Sequence, residues 1–177
     1  ESRLSRHAGF SSLAGTAEST GLPDQSVALV VAAQAFHWFD RPKAKREIAR
    51  ILKPGGKLAL VWNERLSGTS PFLRDYETLL LERATDYASV NHANISDADI
   101  ADFFDPFPVE RIEFPNSQSF DYEDLAGRCR SSSYVPAEGQ PKHAAFFSEL
   151  RQLFDRHQVG GQVRFDYRAT LHLGAFR

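Results

Sequence analysis

Two short apolar segments, with a helix-like segment between them, constrain the fold of this chain most strongly. Residues 27–33 (VALVVAA) and 57–62 (KLALVW) are almost continuously apolar, which is typical of strands buried on both faces. Between them, Asp40 is a candidate helix N-cap, and the Pro-Gly-Gly run at 54–56 is typical of a helix end. Strand, helix and strand in this order predict a βαβ unit with parallel strands and a right-handed crossover.

The rest of the sequence predicts further elements around this unit. Residues 109–114 and 163–176 alternate between apolar and polar residues, as half-exposed strands do, and we expect them to pair beside the parallel strands. We also expect a short strand over 10–15 and helices over 1–7, 71–88, 96–104, 122–130 and 141–157. The predicted fold class is therefore α/β, with an open sheet.

Composition excludes several classes of protein and site. The chain has 177 residues, one cysteine and a net charge of −2, so we expect no disulfide framework, no cysteine-rich zinc site and no nucleic-acid partner. Its longest apolar run has about seven residues, too short for a membrane span, so we expect no membrane partner and a cytoplasmic location. The six histidines form no metal-binding pair, so we expect no metal site.

Polar and aromatic residues follow each predicted parallel strand. In open α/β sheets, ligands bind beyond the carboxyl ends of the strands. Here these ends lead into 15–18 (GTAE), 34–39 (QAFHWF) and 63–65 (NER), which supply a carboxylate, amides, an imidazole and several aromatic rings. This set suits an adenosine-like ligand, whereas the absence of any G-x-G motif disfavours a phosphate-binding loop.

Two strings, AGTAESTGLPDQSVALVVAAQAFHWFD and EIARILKPGGKLALVWN, resemble the class I S-adenosylmethionine-dependent methyltransferases with a methyltransferase type 11 domain. The likeness spans residues 8–63 and is to small-molecule enzymes similar to trans-aconitate methyltransferases. Residues 120–136 (FDYEDLAGRCRSSSYVP) resemble the same group. The resemblance implies a Rossmann-like, mostly parallel sheet, an antiparallel last strand, helical cap insertions and S-adenosyl-L-methionine as cofactor.

The family's glycine-rich motif and ribose-binding acid would precede Glu1. We therefore expect 1–177 to be a single, truncated methyltransferase domain that lacks the first strands. Residues 1–63 would be the remainder of the cofactor-binding half, and 64–177 the helical cap and final strands. An exposed sheet edge would favour a homodimer.

The resemblance also implies a set of site residues. The predicted cofactor-binding residues are Thr16, Ala17, Glu18, Ala33, Gln34 and Ala35, and the predicted substrate pocket contains His37, Trp38, Asn63 and Tyr134. His37 is also the candidate catalytic base, although a histidine between aromatic residues is more often simply packed. We expect Gln34 to be functional because a polar residue buried at the end of an apolar strand needs a partner. Trp38 and Trp62 are expected in the core, and Tyr134 lies either in the pocket or in a surface turn.

Together these features predict S-adenosylmethionine-dependent methyl transfer to a small molecule, with a carboxylate or hydroxyl favoured as acceptor. The alternative is a non-catalytic, methyltransferase-like module that serves binding or assembly.

Overall fold

The computed structural model describes residues 7–85, 87 and 95–176. The predicted βαβ unit is confirmed: β1 (Val27–Ala33) and β2 (Leu52–Arg65) are parallel neighbours, joined through α1 (Arg41–Ile51). The carboxylate of Asp40 caps α1 by accepting the Lys43 N–H at 3.3 Å. β2 follows α1 directly and is longer than predicted, because the Pro-Gly-Gly run lies within the strand.

The remaining elements complete a mixed, open sheet of four strands in the order β1-β2-β4-β3. β4, the last strand in the chain, lies between β2 and β3, which is the placement that the resemblance implies. The further elements are α2 (Pro71–Arg83), α3 (Asp97–Phe104), β3 (Val109–Phe120), α4 (Tyr122–Arg130), α5 (His143–His157) and β4 (Val163–Ala175). α3 begins with a capping box in which the side chains of Ser96 and Asp99 each bind the other's backbone N–H.

Three predictions about individual segments need correction. Residues 10–15 form no strand; they are exposed and, among the described residues, have no neighbouring strand to bond to. α2 ends at Arg83, well before the predicted residue 88, whereas β3 extends six residues beyond the predicted end at 114. The predicted helix over 1–7 lies almost entirely outside the described residues.

β1 is not buried on both faces, although its apolar sequence predicts it. Leu29 is 51% exposed and Val31 is 56% exposed, while Ala32 on the alternate face is buried. Residues that alternate along a strand point to opposite faces of the sheet. One face of β1 therefore packs against the core, and the other is uncovered in this structure.

The chain divides into two compact units, each with its own apolar core. The first unit comprises 1–62, 95–112 and 171–177, and the second comprises 63–94 and 113–170. Buried core residues of the first unit include Phe36, Leu52, Leu58, Leu60, Trp62 and Phe104, and those of the second include Leu73, Tyr76, Leu80, Leu125, Phe146, Leu150 and Phe165. Among the described helices, none combines the length and hydropathy needed to cross a membrane.

Replacing Gly174 by alanine should destabilise the first unit. A Cβ at this position would lie 2.6 Å from the carbonyl oxygen of Pro108 and 2.9 Å from the ring of Phe104, so the backbone would have to shift. We expect Gly174→Ala to lower the free energy of unfolding in urea by about 1–3 kcal/mol, as overpacking does.

The matched control is Gly127→Ala in α4, where a Cβ would meet nothing within 4 Å. Since alanine favours helix over glycine, this variant should gain up to about 1 kcal/mol. A Gly174→Ala protein as stable as the parent would contradict the close packing of β4 on α3.

Candidate functional site

A tight turn precedes β1 and presents a free backbone donor. The amides and carbonyls of Thr16 and Ser19 bond reciprocally at 3.1 and 3.2 Å, and the N–H of Glu18 donates to Thr16 Oγ1 at 3.3 Å. Gly15 suits this position, because a Cβ would lie 3.0 Å from the carbonyl oxygens of Ser19 and Thr20, a tight contact. The N–H of Ala17 has no hydrogen-bond partner within the described parts of the chain. It is therefore available to a ligand.

Glu18 connects this turn to the start of α1. Its Oε1 accepts the backbone N–H of Asp40, the N-cap of α1, at 2.9 Å. The hydrogen bonds from Thr16 and from the backbone of Asp40 hold the pKa of the Glu18 carboxyl below its usual range. The carboxylate is therefore ionised at neutral pH. With about four acceptor positions, it keeps capacity for a ligand donor.

Glu47 on α1 fixes the end of the same turn. Its Oε1 accepts from the backbone N–H of Thr20 at 2.8 Å and from Thr20 Oγ1 at 2.6 Å. The guanidinium of Arg50 donates to both carboxylate oxygens, at 2.7 and 2.8 Å. Arg50 and Thr20 lower the pKa of the buried Glu47 carboxyl to about 2. The hydrogen bonds from Thr20 therefore join the turn to α1, and the ion pair with Arg50 holds the Glu47 carboxylate in place.

The chain leaves β1 through a left-handed residue. Gln34 has φ +53°, and its N–H continues the sheet ladder by donating to the carbonyl of Val61 at 2.9 Å. Its side chain is exposed, so the prediction of a buried amide at the strand end is wrong. The neighbouring Ala33 is exposed and Ala35 is half-buried. A left-handed backbone at a residue other than glycine is uncommon, and such conformations occur often at ligand sites.

The aromatic residues after β1 divide between core and surface. Phe36–Trp38 form a single 3-10 turn, in which successive side chains point in different directions. Phe36 is fully buried, with its ring centroid 4.8 Å from Phe103 and 6.1 Å from Trp62. Trp38 is 74% exposed, so its predicted place in the core is wrong, while that of Trp62 is confirmed. Phe36 takes the core position instead.

His37 is half-buried, and its ring centroid lies 4.8 Å from that of the exposed Trp38. The two side chains therefore form an aromatic surface directly beyond the carboxyl end of β1. The roles of His37 as catalytic base and as substrate-pocket residue stay predictions.

The two other predicted pocket residues belong to the second unit. Asn63 accepts a hydrogen bond from Asn116 Nδ2 at 3.2 Å. Tyr134 is half-buried, with its ring centroid 5.0 Å from that of Tyr87, and its carbonyl accepts the N–H of Thr85 at 2.9 Å. It packs beside the core of its unit.

A buried polar group in the second unit is not among the residues predicted from the sequence. The guanidinium of Arg65 pairs with Glu77 and donates to Tyr87 Oη at 2.6 Å, and it lies 4.9 Å from the ring centroid of Tyr76. Tyr87 also donates to both oxygens of Glu77, at 2.8 and 2.9 Å. One signal was present, because Arg65 lies in the segment 63–65, which follows a predicted strand.

Comparison with known proteins decides the family. Residues 2–60 match the family model described as a methyltransferase domain. An uncharacterised methyltransferase-like protein of Schizosaccharomyces pombe is 33% identical over 166 residues, which cover 87% of this chain and 60% of that protein. The chain is a homologue of methyltransferases and has the class I methyltransferase fold. It spans about 60% of the length of the two S. pombe relatives that it matches.

Two further likenesses agree with this family. An uncharacterised methyltransferase of Mycobacterium tuberculosis H37Rv is 57% identical over 53 residues, which are 30% of this chain and 22% of that protein. A solved structure from Anaeromyxobacter dehalogenans, described as a type II methyltransferase, has a TM-score of 0.63 at 22% identity and covers 97% of this chain and 74% of that one. At this identity the structural likeness shows the fold alone.

The turn of this methyltransferase-family chain fits part of the adenosyl cofactor that the family implies. An adenine ring offers ring-nitrogen acceptors and an exocyclic amine donor, which the Ala17 N–H and the Glu18 carboxylate complement. The described residues contain no group of three or more histidine, cysteine, aspartate or glutamate side chains placed to hold a metal ion.

The Glu47 carboxylate gives a pH-dependent contribution to stability. Its folded pKa of about 2 lies below the usual 4.5, so the ionised form stabilises the fold. This contribution is complete above about pH 5 and is lost as the pH falls towards 2. We expect Glu47→Gln to be destabilised at neutral pH, and its difference from the parent to shrink across this range.

Urea unfolding at a series of pH values measures that difference. Glu110→Gln, at an exposed position of β3, is the control and should follow the parent at every pH. A Glu47→Gln deficit that stays constant from neutral pH to the lowest pH tested would show that the charge of Glu47 does not stabilise the turn.

Proposed function

We propose that this chain takes part in S-adenosylmethionine-dependent methyl transfer to a small-molecule acceptor. The observation that carries the proposal is the turn at 15–20, in a segment that matches the methyltransferase domain model. Two fixed hydrogen-bonding groups, the Ala17 N–H and the Glu18 carboxylate, lie beside the N-terminus of α1, which follows the carboxyl end of β1. Open α/β sheets bind ligands beyond the carboxyl ends of their strands, which supports a ligand site here. The family membership and this geometry support the same function.

The chemistry asks little of the side chains apart from alignment. The cofactor, when bound, supplies a methyl group on a positively charged sulfur, which makes the leaving group neutral. The protein then acts by holding the two reactants in line and by keeping water out. In this chain the rigid turn, with Thr16, Ala17 and Glu18, would fix the adenine end, and Ala33, Gln34 and Ala35 would border the sulfonium side. These assignments are part of the proposal.

The acceptor is proposed to be a carboxylate or a hydroxyl. A carboxylate is already ionised at neutral pH and attacks without help, whereas a hydroxyl needs a base within hydrogen-bond reach. His37 is the candidate base in the second case. The exposed ring of Trp38 beside it offers an apolar face on which an acceptor can pack.

Glu18→Ala should weaken cofactor binding. Calorimetric titration with S-adenosylhomocysteine measures it, and micromolar affinity, about −8 kcal/mol, is expected for the parent protein. Loss of a charge-assisted hydrogen bond should weaken the affinity of Glu18→Ala by about tenfold or more, while Glu18→Gln, which keeps a neutral acceptor, should fall between the two.

Glu110→Ala, an exposed carboxylate in the same unit, is the control and should bind as the parent does. Thermal unfolding of each variant shows whether loss of the hydrogen bond from Asp40 to Glu18 has lowered the stability of the fold. Weaker binding by a variant as stable as the parent reports loss of a ligand contact. If the parent bound no S-adenosylhomocysteine, or if Glu18→Ala bound it as tightly as the parent, the proposed role of the turn would be wrong.

A further inference from the structure

Two guanidinium groups and several tyrosines lie close together within the second unit. We call Arg65, Glu77, Arg128, Tyr134 and Tyr167, with Tyr76 and Tyr87 between them, the arginine–tyrosine cluster. Arg65 is held by Glu77 and Tyr87, as described above, and its side chain is only 10% exposed. Tyr134, the half-buried member, is predicted from the sequence to lie either in the substrate pocket or in a surface turn.

Two buried polar atoms of the cluster have no partner among the described residues. These are Nε of Arg65 and the hydroxyl oxygen of Tyr167, whose side chain is 2% exposed. Buried polar groups in folded proteins are nearly always hydrogen-bonded, to protein, to water or to a ligand. Arg65 Nε can only donate, and Tyr167 can donate its hydroxyl proton. Both atoms can therefore be satisfied by a hydrogen-bond acceptor.

Arg128 adds a second positive charge that pairs with no carboxylate among the described residues. Its guanidinium carbon lies 5.8, 5.6 and 5.5 Å from the ring centroids of Phe120, Phe165 and Tyr167. No ion pair joins it to an acidic side chain in the described ranges. Glu77 balances only one of the two arginines, so the cluster carries a net charge of about +1 at neutral pH, with tyrosines neutral.

The tyrosine hydroxyl is poised as a donor. Burial raises the pKa of Tyr167, against the opposing effect of the nearby Arg128 and Arg65 charges. It therefore stays protonated at neutral pH. Arg128 and Tyr134 are half-buried, so the cluster reaches solvent at these two residues.

We infer that the arginine–tyrosine cluster binds a carboxylate group of the acceptor, with the orphaned Arg65 Nε and Tyr167 hydroxyl, and the unpaired Arg128 guanidinium, as its donors. A carboxylate matches planar guanidinium donors and neutralises the excess charge. The inference rests on the proposed function, since it names the class of acceptor as a carboxylic acid. It concerns the anchoring of the acceptor, because a carboxylate held by such donors is a weak nucleophile.

Succinate, a small dicarboxylate, is the probe for the first test, and calorimetric titration of the protein measures its binding. We expect succinate to bind the parent, and Arg128→Gln to weaken its affinity about tenfold or more, as loss of a charge-assisted hydrogen bond does. Arg130→Gln is the matched control, because it removes an exposed cation from the same last turn of α4. It should bind within about twofold of the parent.

Tyr167→Phe provides a second test that does not depend on how Arg128→Gln folds. Removing a hydroxyl that has no partner should leave the stability unchanged or raise it. A purely structural role for Tyr167 predicts no effect on succinate, whereas the carboxylate site predicts weaker binding. Weaker succinate binding by a variant as stable as the parent would support the inference.

Inorganic phosphate distinguishes the two sources of a small oxyanion. Succinate should bind the parent more tightly than phosphate does, and equal or tighter phosphate binding would overturn the assignment to a carboxylic acid. Failure of succinate to bind the parent, or equal weakening in Arg128→Gln and Arg130→Gln, would overturn the site itself.

Titration of the same samples with S-adenosylhomocysteine keeps the two proposals apart. If the protein bound S-adenosylhomocysteine but not succinate, the proposed carboxylate site would be wrong and the proposed methyl-transfer function would stand. If the protein bound succinate through Arg128 but did not bind S-adenosylhomocysteine, the carboxylate site would stand and the proposed methyl-transfer function would be wrong.

Discussion

The parallel pairing of β1 with β2 is the constraint on which the rest of the first unit depends. Parallel strands cannot be joined by a tight turn, so the chain must cross over through α1 and return. The crossover starts at the carboxyl end of β1, so the N-terminus of α1 follows that end of the strand. Because the helix begins there, the N–H of Asp40 can donate to the Glu18 carboxylate. About two turns later, Glu47 can accept from the N–H of Thr20.

The parts of the fold that could be predicted are those with a local sequence pattern, such as an apolar run or an alternation of apolar and polar residues. The runs 27–33 and 57–62, with a capped helix between them, determine the βαβ unit almost alone. The alternating segments likewise mark β3 and β4, although their order in the sheet came only from the resemblance. One pattern led to a wrong prediction. The continuously apolar sequence of β1 predicts burial on both faces, yet Leu29 and Val31 are exposed.

The candidate site was harder to predict because its decisive contacts are distant in sequence. Four aromatic or imidazole side chains follow one another at 36–39, and nothing local says which of them the core accepts. The structure buries Phe36 and exposes Trp38. Arg65, Glu77 and Tyr87 meet only after α2 has folded back, so no short motif announces them. The turn at 16–18 was identified from resemblance, and its attachment to α1 from the structure.

The double use of Glu47 has an evolutionary consequence. One carboxylate of helix α1 bonds both the turn at 15–20 and Arg50 of its own helix, and its partner Thr20 lies 27 residues away in the chain. Replacing Glu47 alone leaves the N–H and the hydroxyl of Thr20 without their acceptor, and replacing Thr20 alone removes one donor to Glu47, whereas paired changes can restore the contact. Positions 20 and 47 should therefore covary among related sequences. Their covariation would reflect the shape of the turn rather than the identity of a ligand.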